Sequence, residues 1–169
     1  MTGTDETFDP VAALKALDGQ RVAYIIIGGL GRVIHGSDEV THGLDIVPST
    51  RSENLARLKT ALERLNARRA DGTALALDDA PAREPVLELE TSAGELKIVF
   101  EPRGTRGYDD LRRGASREPL GHGLRPQVAS VGDHARMLSA LGREQDARPL
   151  RTLRRLAELE RELGRGLDR

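Results

Sequence analysis

Residues Tyr24–Val47 read YIIIGGLGRVIHGSDEVTHGLDIV and carry the clearest structural signals of the chain. The apolar, β-branched run Val22–Ile27 ends at Gly28-Gly29, which is typical of a buried central strand. A short helix is predicted over Leu30–His35, directly after the glycines. A second strand is predicted over Leu44–Val47, because a proline follows this apolar run and ends it.

The sequence on either side of this segment predicts mainly helix. Met1–Phe8 is predicted to be a frayed tail, and Asp9-Pro10 predicts the cap and first turn of a short helix over Val11–Leu17. Leucines at three- and four-residue spacing predict an amphipathic helix over Ser49–Arg69. The polar stretch Ala70–Pro85 has no period and is predicted to be a loop with weak strand content.

The C-terminal half predicts a hairpin followed by helices. Apolar and polar residues alternate over Val86–Glu90 and Glu95–Glu101, as they do in a β-hairpin with one buried face. A last strand is predicted over Gln127–Val131, followed by a helix that ends at Leu141. A closing helix is predicted over Arg148–Leu163, where the leucines form one stripe.

The order of these elements predicts an α/β (α+β) fold, with a small mixed β-sheet flanked by helices and further helices at the C-terminus. Residues 1–20 are expected to form an N-terminal tail and short helix. Residues 21–142 are expected to form the core, and residues 143–169 a C-terminal helix packed on it. A length of 169 residues suits a single domain with a substantial core.

Composition excludes several classes of function. Lys and Arg number 26 against 27 Asp and Glu, so the chain is not a general polyanion binder. Cysteine is absent, which excludes disulfides and thiolate sites, and aromatic residues make up 2%, too few for stacking of successive bases. The longest apolar run, Ala23–Ile27, is too short to span a membrane. We therefore expect a cytoplasmic protein with no membrane contact.

The glycines after the first strand admit two interpretations. Backbone N–H groups at a strand-to-helix junction can face an anion, and the missing side chains let a phosphate approach. A double glycine after a strand is more often a tight turn that binds nothing. If a nucleotide phosphate binds here, the candidate contacts are Gly28, Gly29, Arg32 and Lys97, whereas Arg32 could also be a plain surface residue.

This region resembles the nucleotidyltransferase fold, in the branch related to the abortive-infection, type IV toxin–antitoxin nucleotidyltransferases of bacteria. The features that carry the resemblance are, in order, Gly28-Gly29, His35-Gly36, Thr41 and Leu44–Val47. Downstream, Gly94–Val99 is similar to the strand that bears the third aspartate of that family. The resemblance covers roughly residues 20 to 150. It implies chemistry in which three carboxylates hold two Mg²⁺ ions that clamp a nucleoside triphosphate.

The sequence departs from the family pattern at the metal-binding positions. The first of two paired aspartates falls on Gly43 and the third aspartate falls on Lys97, so that Asp45 is the single carboxylate retained and the candidate catalytic residue. Two dications beside one carboxylate and one ammonium are electrostatically unfavourable. We therefore expect no metal site. If a metal were bound, Asp45 and His42 would be its candidate ligands.

Two interpretations of Lys97 remain open. On the hairpin face opposite Leu96 and Ile98, it could be a solvated lysine. Alternatively, it lies in the former metal pocket and forms a salt bridge with Asp45. Carboxylates that could replace a lost one are Glu88, Glu90, Glu95 and Glu101, of which Glu95 and Glu101 would need a register shift or a different pose.

The sequence thus predicts a degenerate nucleotidyltransferase-like protein, a pseudoenzyme that binds a nucleotide, a nucleic acid or a protein partner through the inherited cleft. In that case no cofactor is expected. One alternative is an active, toxin-like nucleotidyltransferase that uses Mg²⁺ and a nucleoside triphosphate to modify RNA, protein or a small molecule. Another is a structural or antitoxin-like subunit whose C-terminal helix packs on a protein partner or on a second copy in a homodimer.

Overall fold

The computed structural model describes residues 8–78 and 80–167. Within these residues, one mixed sheet is built from seven strands: β1 Tyr24–Ile27, β2 Gly43–Pro48, β3 Arg68–Arg69, β4 Val86–Thr91, β5 Gly94–Val99, β6 Ser116–Arg117 and β7 Gln127–Val128. The helices are α1 Pro10–Gly19, α2 Gly28–Ile34, α3 Ser52–Arg64, α4 Ala80–Arg83, α5 Tyr108–Leu111, α6 Val131–Leu141 and α7 Ala147–Leu167, and a 3-10 turn at Glu144–Asp146 precedes α7. The α/β fold with a mixed sheet is confirmed.

The strand order across the sheet is β3-β4-β5-β2-β1-β7-β6. β1 and β2 are antiparallel neighbours at the centre, while β2 pairs with β5 and β1 pairs with β7 in parallel. The hairpin β4–β5 was predicted and is present. Because β5 lies beside β2, residues far apart in the sequence come into register at the centre of the sheet.

The two faces of the sheet pack against different helices. One face forms the largest core with α1 and α3, to which Leu14, Leu58 and Ile46 contribute fully buried side chains. The opposite face packs on α5 and α6 through a smaller cluster around Ile25 and Met137. Since side chains alternate along a strand, Asp45 lies on this second face. There α5 and α6 cover the β1 side and leave the β2–β5–β4 side open.

Two helix starts follow from local hydrogen bonding. The side chain of Asp9 accepts a bond from the Ala12 N–H at 3.0 Å, so the predicted cap of α1 is confirmed. Ser130 caps α6 in the same way by accepting from the Asp133 N–H at 3.0 Å. Of the predicted tail, residues 1–7 lie outside the described residues, and Phe8 is buried in the main core instead of frayed.

Several predicted boundaries were wrong. The helix predicted over Ser49–Arg69 ends at Arg64, and its last residues instead form β3, which pairs with β4. The strand predicted over Gln127–Val131 ends at Val128, because Ser130 is the N-cap of α6, which begins at Val131. Short pairings such as β6, and the single turn α4, carry too little periodicity to be recognised.

Candidate functional site

An open cleft lies on the second face of the sheet, where α5 and α6 do not cover it. It consists of two adjoining cavities of about 340 and 570 Å³. The residues that line both cavities are Gly29, Arg32, Asp45, Glu88 and Lys97. The structure therefore brings together most of the site residues predicted from the sequence, and of the candidate replacement carboxylates it places Glu88 against both cavities.

Three charged residues form a row across adjacent strands at the floor of the cleft. In the parallel pair β2–β5, Asp45 is the register partner of Lys97, and in the antiparallel pair β4–β5, Lys97 is the partner of Glu88. Lys97 thus occupies the middle of an acid–base–acid row. The next row toward the opening of the cleft consists of Gly43, Glu95 and Glu90.

Asp45 is held against the strand-to-helix junction. Gly28 has a φ of +69°, and a Cβ there would overlap the carboxylate of Asp45, lying 2.8 Å from its Cγ. A glycine is therefore needed both for the backbone conformation and for the space that the carboxylate fills. Burial raises the pKa of Asp45 above its usual value, while the charges of Lys97 and Arg32 act in the opposite direction.

Lys97 is half-buried and faces the cleft, so it is not the fully solvated lysine of the first interpretation. The direct salt bridge with Asp45 is not formed either, and within the described part of the chain Lys97 has no hydrogen-bond or ion-pair partner. Its charge acts on Asp45 through space. An amine in this state can bind a ligand without first breaking an internal contact.

Gly43, at which the sequence resemblance leads us to expect a metal-binding aspartate, is tightly packed. A Cβ at this position would lie 2.8 Å from the backbone oxygen of Glu95 and 2.9 Å from its Cβ. These distances are shorter than van der Waals contact, so an aspartate would require β2 and β5 to move apart. The absence of a side chain at Gly43 therefore permits the close approach of the two strands.

Arg32 reaches the cleft but is already paired. Its guanidinium donates to Glu39 through Nε at 2.7 Å and through Nη2 at 2.7 Å, and the hydroxyl of Ser37 donates to the same carboxylate at 2.7 Å. Partial burial acts to raise the pKa of Glu39, but these donors outweigh it and hold the pKa below its usual value. Glu39 was not recognised in the sequence. It lies in a turn, and no local sequence pattern there predicts that its carboxylate pairs with an arginine seven positions earlier.

A metal centre is not supported by the side chains at the cleft. Among residues 8–78 and 80–167, no group of three or more His, Cys, Asp or Glu is arranged to hold a metal ion. His42 lines the smaller cavity and is exposed, and it does not form such a group with Asp45. The ammonium of Lys97 between two carboxylates repels the dications that a two-metal site would require.

The larger cavity continues from Asp45 and Lys97 into an apolar region beneath α6. Its apolar walls are formed by Ile27, Val86, Val99, Met137, Leu138 and Leu141. Glu101, Arg103 and Arg143 also line the cavity, so charged and apolar side chains are mixed along its wall, which suits an amphipathic small molecule. Its volume of about 570 Å³ lies within the usual range for ligand pockets.

His134 also lines this cavity and was missed by sequence reasoning. It is 1% exposed, and its Nε2 has no hydrogen-bond partner among the residues that the structure describes. Its ring packs against Gly31, where a Cβ would lie 2.7 Å from Nε2, and edge-on to His35 at 5.6 Å. Burial, and then the charges of His35 and Arg32, lower the pKa of His134 to about 3, so the ring is neutral at pH 7.

Comparison with solved structures identifies the fold. The chain is similar to a candidate nucleotidyltransferase from Thermotoga maritima, with 18% identity, a TM-score of 0.55, and coverage of 85% of this chain and 88% of that one. It is similar to the lincosamide antibiotic adenylyltransferase LnuA, solved with lincomycin bound, with 15% identity, a TM-score of 0.61, and coverage of 89% and 99%. It is also similar to the antibiotic-resistance factor ANT(2'')-Ia, with 14% identity, a TM-score of 0.57, and coverage of 94% and 92%.

At the level of sequence the likeness is weak. No protein-family model matches the chain, and no curated protein matches it. Within the described residues, no helix combines the length and the apolarity that a membrane span requires. The similarity rests on the arrangement of strands and helices over most of the chain, and on that basis the protein has a nucleotidyltransferase-like fold.

Proposed function

We propose that this protein is a non-catalytic member of the nucleotidyltransferase fold that binds a nucleotide in its cleft without a divalent metal. The observation that carries the proposal is the position of Lys97. It lies in register between Asp45 and Glu88, where an enzyme of this fold would need carboxylates around its metal ions.

The electrostatics of the cleft floor oppose two-metal catalysis. Two Mg²⁺ ions need several hard oxygen ligands and a surplus of negative charge. Asp45, Lys97 and Glu88 together carry a formal net charge of only −1, and burial further disfavours the charged form of Asp45. Gly43 cannot gain a carboxylate without separation of β2 from β5. The inherited metal site is therefore replaced by a fixed cation.

A lysine ammonium can take over one task of the metal, which is to neutralise phosphate charge. Lys97 has no internal partner in the described chain and faces both cavities. Gly29 beside it has no side chain to block a phosphate, whereas the carboxylate of Asp45 fills the space at Gly28, and the neighbouring apolar region can accept a base or another ring. The three similar structures include two antibiotic-modifying or antibiotic-resistance proteins, which supports a small-molecule ligand over a macromolecule.

The proposal is tested by calorimetric titration of the protein with each nucleoside triphosphate, with and without Mg²⁺ or Mn²⁺. We expect binding of the same strength in both conditions, and at least a tenfold loss of affinity in Lys97→Met. The matched control is Lys59→Met, because Lys59 is exposed on α3 and distant in the fold from the cleft. Binding that requires a metal would contradict the proposal.

A second function, metal-dependent nucleotidyl transfer, is favoured by the acidic rim of the smaller cavity. Glu88, Glu90 and Glu95 line it together with Asp45, and could supply oxygen ligands after a rearrangement of the hairpin. The same titration separates the two functions, since only the enzyme would bind the triphosphate more tightly with Mg²⁺. Absence of any nucleotide binding would instead favour a nucleic-acid or protein partner.

A further inference from the structure

The second half of α7 extends beyond the part of the molecule that it packs against. The helix has 21 residues and is about 31 Å long. Its first half packs on α6, where Leu153 is fully buried and Leu150, Leu156 and Ala157 are partly buried. From residue 158 to residue 164, every side chain is exposed. These seven consecutive residues therefore have no buried side chain within the described chain.

The extended half still carries an apolar stripe. Leu156, Leu159 and Leu163 follow one another at spacings of three and four residues, which places them on one face of the helix. Leu159 is 37% exposed and Leu163 is 69% exposed, the highest value among the large apolar residues of the described chain. Isolated helical turns are marginal in water, and a stripe of this kind normally packs against a second helix.

The charges that flank the stripe indicate what that second helix is. Arg155 and Glu162 are seven residues apart, so they lie on the same edge of the stripe, and Glu160 lies on the other edge. If two copies of α7 pair antiparallel, Arg155 falls beside Glu162 of the second copy. If they pair in parallel, it falls beside Glu160 of the second copy. In either orientation the helix is complementary to itself.

We propose that the exposed stripe of α7 pairs with the same stripe of a second copy, to form a symmetric homodimer. A two-fold axis lets one apolar patch cover its own equivalent and makes each Arg–Glu contact twice. The internal pair of Arg155 with Glu158, at 3.4 Å, does not compete strongly, because both side chains are more than half exposed. This inference is independent of what the cleft binds.

The first test is analytical ultracentrifugation of the full chain over a range of concentrations. We expect the wild type to dimerise at micromolar concentration and Leu163→Glu to weaken dimerisation by at least tenfold, since a charge would be buried in the interface. Val86→Glu is the matched control, because Val86 is an exposed apolar residue, at 40%, on β4, whereas α7 packs on α6. A monomeric wild type at about 100 μM, or a Leu163→Glu variant that dimerises normally, would overturn the proposal.

The second test separates pairing with a second copy from pairing with a different protein. Arg155→Glu alone should weaken the dimer, because it places like charges across the interface in either orientation. Adding Glu160→Arg and Glu162→Arg to that variant should restore dimerisation toward the wild-type level. Only a partner that carries the same substitutions can produce this rescue, so its failure would contradict self-pairing. Circular dichroism of each variant verifies that the helix content is unchanged.

Discussion

Asp45 on β2 and Lys97 on β5 are register partners at the floor of the cleft, but no direct ion pair joins them. The carboxylate is instead packed against the junction at Gly28, and the ammonium remains directed to the cavities. The two charges balance each other through space while the lysine stays available to a ligand.

Replacing the central lysine with an acid should create a metal site. In Lys97→Asp, carboxylates at positions 45, 97 and 88 would occupy one row across three strands. Hard cations favour this arrangement of oxygen ligands, so we expect Mn²⁺ or Mg²⁺ to bind at millimolar concentration or better. Bound metal should raise the melting temperature of the variant by mass action, whereas the wild type should show no change.

The matched control for this experiment is Lys97→Met, which removes the positive charge without adding an oxygen ligand. If the methionine variant gains metal affinity as well, repulsion by the lysine is the whole barrier and Asp45 with Glu88 suffices for binding. If neither variant binds metal, the row of three side chains does not converge on one point. The interpretation of the cleft as a former metal site would then be wrong.

A methyl group at Gly28 should be strongly destabilising, while one at Gly29 should not. Gly28→Ala would combine a positive φ with an overlap with Asp45, so we expect a loss of about 2 to 4 kcal/mol in the free energy of unfolding. Gly29 is helical, and its nearest contact would be 3.5 Å away, so Gly29→Ala should be neutral or slightly stabilising. Urea denaturation of both variants measures the difference.

A double variant identifies the source of that loss. Adding Asp45→Ala to Gly28→Ala removes the overlap but leaves the backbone strain, so part of the stability should return. A double variant whose losses are simply additive would show that Asp45 moves aside at little cost. The proposed close packing of its carboxylate would then be incorrect.

Much of the sheet and the floor of the cleft could be predicted from the sequence because the information there is local. The run Val22–Ile27 and the leucines of α3 show unambiguous periods, and the structure places them as expected. Asp45, Lys97 and Gly28-Gly29 were recognised because the sequence around them resembles, in the same order along the chain, the pattern of the nucleotidyltransferase fold. The structure brings all of them to one cleft.

The rest of the site depends on contacts between distant parts of the chain, which no local pattern contains. Glu88 became a neighbour of Lys97 through the exact register of a hairpin, and a shift of one residue would have pointed it to the core. Likewise, His134 is buried because α6 crosses α2 at Gly31, where the absence of a side chain leaves room for the imidazole. Crossings of this kind are set by tertiary packing.

The charge of Asp45 should make the protein less stable at neutral pH than an uncharged equivalent. Burial raises the folded-state pKa of this carboxyl above its unfolded value near 3.8, so the folded state binds more protons between these two values. Its contribution to stability is therefore present below pH 3.8 and lost as the pH rises through the folded pKa. We expect Asp45→Asn to match the wild type in strong acid and to exceed its free energy of unfolding at pH 7. A variant that is less stable than the wild type at pH 7 would mean that Lys97 attracts the carboxylate more than burial disfavours it.

His134 should account for much of the loss of stability in acid. Its pKa is lowered to about 3 in the folded protein from an ordinary value of 6.5, so between these values the unfolded chain binds the extra proton. The contribution of His134 to the free energy of unfolding is therefore fully present above pH 6.5. It falls as the pH drops toward 3, by about 2 to 3 kcal/mol at pH 4.5.

Urea denaturation of His134→Gln at pH 7 and pH 4.5 should show a smaller difference in the free energy of unfolding between the two pH values than the wild type shows. The control is His42→Gln, since His42 is exposed, and it should keep the full difference. If His134→Gln keeps the full difference too, a water or another donor must pair the buried Nε2, and the acid sensitivity must come from other groups.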